Sequence, residues 1–340
     1  MKKVLFILTP VLLIVMAFGM SYEPQPEKWD EETKLVEVLK ELGQPYPDHY
    51  MDSPSDEQIE MGKKLVYEGQ VDRPGLGKSK LISKFYYCTD CHNQVREDPE
   101  PANPTPEKRL EYAVENNLRF LQSTTFWGMA NRESWYNDDY ILKYGALVEE
   151  ATESLAASTQ LCAQECSQGR ELEQWELDAI IAYYWSLQLK LSDLELTDAE
   201  WKELRTKASS GSTEEAIALL KQNYMVMSGA DFVDPPADKS KGYPFEGDRH
   251  IGEQLYEKSC QTCHRMYGPS SMILDDSKLT FKKLRKNLTA STKWSIYEII
   301  RHGTYAQPGH RPYMPHYTAE RMSDQQVEHL RAFIEWEAGS

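Results

Sequence analysis

Two pentapeptides constrain this chain more than any other feature: Cys88-Thr89-Asp90-Cys91-His92 and Cys260-Gln261-Thr262-Cys263-His264. Both fit Cys-x-x-Cys-His, the pattern that ties a porphyrin to a polypeptide through two thioether bonds. The spacing has a physical cause. Two thiols must reach the two vinyl groups on one porphyrin edge, while the adjacent imidazole turns under the ring to ligate iron. Zinc ligation or disulfide pairing of the same cysteines is the competing reading, and two copies of the full pentapeptide argue against it. The expected cofactors are two covalently bound haem c groups. One is attached through Cys88 and Cys91 with His92 as proximal ligand, the other through Cys260 and Cys263 with His264.

Each pentapeptide sits in the same layout. A helix over Ser55–Tyr67 with Ile59, Gly62, Leu65 and Val66 at helical spacing precedes the first, and Ile251, Gly252, Leu255 and Tyr256 repeat that pattern before the second. Each copy closes with an aromatic helix: near Leu172 to Leu189 with Trp175, Ile180, Ile181, Tyr184 and Leu187 in the first, and behind a Ser323-x-x-Gln326 capping box in the second. That second closing helix carries Val327, Leu330, Phe333, Ile334 and Trp336. Sustained strand alternation is missing, so the predicted fold is all-α: two cytochrome c-like haem domains joined by a partly helical linker. The expected ranges are 53–190 for the first domain, 191–247 for the linker and 248–340 for the second domain. Residues 22–52 form an N-terminal extension with a short helix over Glu31–Gly43. The linker holds a helix opening at Thr197-x-x-Glu200, a second over Ser212–Tyr224, and a proline-rich run over Asp231–Asp248.

Lys2 and Lys3 precede an apolar run from Val4 to Met20, and Ser21 to Pro26 then turn polar. This reads as an export signal over residues 1–21, with Ala17 and Gly19 as small residues at a cleavage site and an uncleaved anchor as the alternative. The expected location is periplasmic, and the membrane enters only through that anchor. With 38 Lys+Arg against 54 Asp+Glu the chain carries a net charge of −16, which lacks the basic footprint a nucleic-acid partner requires. The acidic stretch Asp30–Glu32 and the pair Glu97-Asp98 read as solvated surface able to steer a basic redox partner.

From about Asp248 to Glu337 the chain closely resembles class I cytochromes c. The resemblance rests on the helix before Cys260, on Gly303, on Pro312-Tyr313-Met314-Pro315 and on the final aromatic helix. It implies a mainly helical fold with His264 as proximal ligand and Met314 as sixth ligand. The residue chemistry agrees, because a soft thioether favours ferrous iron. His302, His310 and His316 are nearby competitors, and a purely packing role is the plain alternative for Met314.

The first half contains only His49 besides His92, so its sixth ligand is open among His49, Met51, Met61, Met129, Cys162 and Cys166. Cys162 followed by Gly169-Arg170-x-Leu172 and an aromatic helix resembles the Cys-ligated domain of tetrathionate-forming thiosulfate dehydrogenases and SoxA-type sulfur-oxidation cytochromes. Glu165 and Cys166 depart from that family's Arg and Ser. The resemblance implies Cys162 as sixth ligand and as the edge of a site for a small sulfur oxyanion. A thiolate ligand there lowers the first potential, so electrons run from the first haem to the second. A Cys162–Cys166 disulfide with Met129 or His49 as ligand, and a five-coordinate or otherwise ligated iron, are the alternatives. Phe126 to Arg132 with Trp135, Tyr136 and Tyr140 reads as aromatic packing around the porphyrin. Arg132 and Arg170 are candidates for a propionate or anion contact, with carboxylate pairing as the alternative. The functional expectation is an electron carrier between redox protein partners. The alternative is a thiosulfate dehydrogenase-like enzyme, and a dihaem peroxidase ranks third.

Overall fold

In the computed structural model, which describes residues 28–73, 75–304 and 313–339, helices carry almost all regular structure. In chain order they are α1 (Leu35–Glu41), α2 (Asp56–Glu68), α3 (Pro106–Glu115), α4 (Asp138–Tyr144), α5 (Ala146–Glu153), α6 (Leu155–Leu161), α7 (Gln174–Ser186), α8 (Asp198–Ser210), α9 (Thr213–Lys221), α10 (Arg249–Leu255), α11 (Gln261–His264), α12 (Lys278–Leu288), α13 (Ile296–His302) and α14 (Asp324–Glu337). A two-residue hairpin, β1 (Asp72–Arg73) with β2 (Gly77–Lys78), is the sole sheet among the described residues. The all-α expectation holds. The export segment, His310 and Pro312 lie outside the described residues.

Local chemistry sets the helix ends. The Gln58 N–H donates to the Ser55 hydroxyl at 3.2 Å and the Ser55 N–H donates back to the Gln58 side chain at 3.1 Å, which opens α2 with a reciprocal capping box. Ser323 and Gln326 open α14 with the same two bonds, at 3.2 and 3.1 Å. The Thr197 and Glu200 box opens α8, as its sequence pattern indicates.

The internal repeat becomes a packing motif. α2 lies across α7, and α10 lies across α14. At each crossing a glycine touches the partner backbone: a Cβ on Gly62 would run into the Ala179 carbonyl, and one on Gly252 into the His329 carbonyl. Helices that approach this closely admit no side chain at the contact.

Two apolar cores follow. Val36, Leu65, Val66, Phe126, Leu155, Ile180, Tyr184 and Trp185 belong to the first. Leu255, Tyr256, Phe281, Tyr297, Leu330 and Phe333 belong to the second, but so do Leu110 and Ala113 of α3 and the following Phe120. The range expected for the first domain therefore lends α3 to the other core. The chain divides into the units 1–30 and 31–340, so both cores lie in one body. In the 191–247 segment Leu204, Ala216, Leu220 and Tyr224 are buried and α8 packs on α9, while the Glu133 N–H donates to the Val226 carbonyl at 2.8 Å and the Ser228 N–H to the Ser134 carbonyl at 3.2 Å.

One expectation needs correcting. Asp30, Glu31 and Glu32 are exposed as expected, but Glu97 and Asp98 are each only 4% exposed. Arg321, from just before α14, reaches Glu97 at 2.8 Å. Asn93 Nδ2 and the Thr125 N–H also donate to Glu97, at 2.7 and 3.0 Å. Asp98 accepts from the Glu100 N–H at 2.8 Å. Burial alone would raise the Glu97 pKa, yet the Arg321 and Arg109 guanidinium groups more than compensate and hold it below the ordinary value.

Candidate haem-binding centre

Both motif histidines are oriented by the backbone. His92 Nδ1 lies 2.6 Å from the Thr124 carbonyl, and His264 Nδ1 lies 2.8 Å from the Met272 carbonyl. A carbonyl oxygen only accepts, so each Nδ1 carries the proton and each Nε2 keeps its lone pair. This is the tautomer an iron ligand needs, and the second partner fixes the ring plane. Phe126 stacks on His92 at 4.4 Å between ring centres. Burial lowers the His92 pKa to about 4, and that of His264 also falls.

The four motif cysteines are free thiols. Burial pushes the Cys88 and Cys260 thiols up to about 12 and raises those of Cys91 and Cys263. Neutral thiols in apolar surroundings, each pair followed by an imidazole with a free Nε2, fit covalent haem as the resident group. The two motifs are neighbours: Cys91 and Cys263 lie within electrostatic reach of one another and of Tyr86.

Met314 sits in a short extended pairing. Its N–H donates to Thr304 Oγ1 at 2.6 Å, and its carbonyl accepts from the Thr304 N–H at 2.9 Å. Gly303, at φ +67°, lies where a Cβ would come within 2.5 Å of the Met314 carbonyl, so only glycine fits there. Tyr86 donates to the Tyr313 carbonyl next door, which ties the Met314 segment to the residues just before Cys88. Of the competing histidines, His302 is engaged by Glu298 at 2.8 Å. His316 lies 5.5 Å from Phe232 between ring centres, and burial drives its pKa to about 4.

On the first motif, His49 Nε2 is bonded to the Ala130 carbonyl at 2.9 Å, with its ring between Trp135 and Trp185. Met129 is buried in the first core, and Met51 and Met61 pack against it. Cys162 lies close enough to Cys88 and Cys91 to sense both. A hydrogen bond to Cys166, then burial, raises the Cys162 thiol, and the same bond lowers that of Cys166.

The two arginines singled out from the sequence serve the scaffold. Arg170 grips Glu176 with both terminal nitrogens, at 2.7 and 2.6 Å, and also donates to the Lys80 carbonyl at 2.8 Å. Arg132 binds Thr124 Oγ1 at 2.8 Å, Ser228 Oγ at 2.7 Å and the Thr125 carbonyl at 2.9 Å. Arg132 thus steadies the segment whose Thr124 carbonyl orients His92. Thr124, Met272, Tyr86 and Arg321 are site-supporting residues that motif reasoning missed. All four act through or upon backbone carbonyls, which leave no mark in residue type.

Residues 247–334 match the family model described as cytochrome c oxidase, cbb3-type, subunit III. This segment is a c-type cytochrome domain. Such a domain implies covalently bound haem c and an electron-transfer role with redox protein partners. The match takes in the second Cys-x-x-Cys-His motif, Met314 and nearly all of α14. No curated protein and no solved structure matches the chain. No helix among the described residues is long and apolar enough to cross a membrane.

Proposed function

We propose that the chain is an exported, periplasmic dihaem cytochrome c that passes single electrons between a redox donor and an acceptor. The observation that carries this reading is the paired geometry of the motifs. Two neighbouring Cys-x-x-Cys-His sequences each present an imidazole whose Nδ1 is held by a carbonyl and whose Nε2 is free. When bound, haem c supplies the one-electron couple.

The chain's residues set everything else. Cys88 and Cys91, and Cys260 and Cys263, are the thioether anchors, and His92 and His264 are the proximal ligands. Met314 is the sixth ligand of the second centre, held in place by Thr304, Gly303 and Tyr86. Cys162 is the sixth-ligand candidate of the first, on the resemblance of its segment and on its lying within electrostatic reach of Cys88 and Cys91. An anionic thiolate favours the oxidised charge state more than a neutral thioether does, which makes the first centre the low-potential end.

The position of Cys162 also favours a second reading, a thiosulfate dehydrogenase-like oxidoreductase acting on a small sulfur oxyanion. Against it stand Arg170 and Arg132, both engaged within the scaffold, so neither guanidinium is free to hold a dianion.

The test is haem stoichiometry on the full-length protein. Pyridine haemochrome assay is expected to give two haems per chain, falling to one in Cys88→Ala/Cys91→Ala and to one in Cys260→Ala/Cys263→Ala. A single haem in the unsubstituted protein would overturn the dihaem reading. Met314→Ala is expected to abolish the thioether-to-iron charge-transfer band while both haems stay attached. Reduction by thiosulfate with tetrathionate as product, lost in Cys162→Ala, would select the enzyme.

A further inference from the structure

Of the six cysteines, the haem reading uses four as anchors. Cys162 and Cys166 open and close a π-helical turn that continues α6. Its wider ladder shows in the Ser167 N–H, which donates to the Cys162 carbonyl at 2.9 Å. Single π-turns interrupt helices at some cost in hydrogen-bond geometry and concentrate at functional positions. Here the turn sets the two cysteines four residues apart on one face of the helix, close enough for each thiol to shift the other's titration. Access is graded. Cys166 is exposed and Cys162 is half-buried.

We propose that Cys162 and Cys166 are a reversible dithiol–disulfide couple. A disulfide of a small thiol, R–S–S–R, is the oxidant class that matches the access. The exposed Cys166 sulfur attacks one sulfur of the oxidant, the oxidant's S–S bond breaks, and the first RSH leaves with the Cys166 proton. Cys162 then attacks the Cys166 sulfur, the protein disulfide forms, the mixed disulfide breaks, and the second RSH leaves with the Cys162 proton. Two electrons pass from the pair to the oxidant, and a dithiol reductant reverses both steps. The order follows from exposure, since the reagent meets Cys166 first and Cys162 is placed to resolve it. An exposed disulfide closed within one helical turn belongs to the readily reduced class, unlike a deeply buried structural crosslink.

A consequence for the first centre rests on the proposed role of Cys162. A sulfur bonded to Cys166 cannot ligate iron, so oxidation of the pair withdraws that ligand.

The experiment equilibrates haem-loaded full-length protein across a series of oxidised-to-reduced glutathione ratios, quenches in acid, alkylates under denaturing conditions, and maps the Cys162–Cys166 peptide by mass. The expected result is two alkylated cysteines at the reducing end and none at the oxidising end, with an intramolecular disulfide replacing them in one two-electron transition. In Cys166→Ser, Cys162 is expected to remain outside any intramolecular disulfide at every ratio. The couple is overturned if both cysteines alkylate at every ratio. It is equally overturned if the disulfide fails to open even at the reducing end, or if oxidation stops at a glutathione adduct on Cys166. Electron paramagnetic resonance of the same samples before quenching reports the ligand reading separately. A first-haem spectrum unchanged while the disulfide forms would remove Cys162 as ligand and leave the couple standing.

Discussion

His92 and His264 are held alike, each through an Nδ1 hydrogen bond to a backbone carbonyl, at 2.6 Å from Thr124 and 2.8 Å from Met272. Their surroundings diverge. His92 has Phe126 stacked on its ring and a buried Glu97–Arg321 pair within electrostatic reach. His264 sits beside an open loop in which Met266, Tyr267, Met272 and Ile273 are all exposed. The second half also pairs the Met314 backbone with Thr304, while the first half carries a π-turn bearing two thiols. The repeat thus keeps the hydrogen bond on the motif histidine and varies its surroundings. His92 is the enclosed one, and its enclosure is completed by Arg321 from the other half.

The largest expected effect therefore comes from Glu97→Ala, which leaves the Arg321 guanidinium buried without its carboxylate. It should cost about 3–5 kcal/mol in denaturant unfolding of the whole chain. A loss within a few tenths of a kcal/mol, or separate transitions for the two halves, would break the picture of one body. The pH response follows the sign of the Glu97 shift. A carboxylate held below its ordinary value of 4.5 contributes stability that is present above that value and lost as pH falls through the depressed one. Glu97→Gln should flatten that acid loss, and an unchanged pH profile would show that the pair carries no linkage.

That pair also marks where the sequence stopped being legible. Glu97 and Arg321 are 224 residues apart, and an acidic dipeptide without a visible partner reads as surface because charged side chains are rarely buried alone. The closing helices, both entry helices and the Ser323 cap rest on local periodicity and capping chemistry, and these were readable. The repeated Gly62 and Gly252 were visible as a pattern, but not as helix crossings. Thr124 and Met272 were invisible because any residue supplies a carbonyl. Cys162 and its pairing with Cys166 were readable as candidates, while the π-turn that carries them is announced by no residue pattern.

Gly62→Ala and Gly252→Ala sharpen the comparison at the next level. Each places a methyl against a facing carbonyl, and each should destabilise by about 1–3 kcal/mol in chemical denaturation. Equal losses would support equivalent crossings, whereas a neutral Gly252→Ala would show that only α2 and α7 need the close approach.

The smallest effects belong to the caps. Ser55→Ala should cost about 1 kcal/mol. Ser323→Ala should cost more, because its hydroxyl also donates to Glu107 at the start of α3. Thermal melts of the two variants check the order, and a larger loss at Ser55 would remove the added role of that contact.

The loan of α3 to the second core has a consequence in time. Leu110, Ala113 and Phe120 find their neighbours only once residues beyond 250 exist, and Arg109 donates to the Arg321 carbonyl far downstream. Contacts of such sequence separation form late and slow the search for the native state. A nascent chain therefore carries an uncovered apolar α3 until its last helix arrives, and the two halves reach their final form together rather than one after the other.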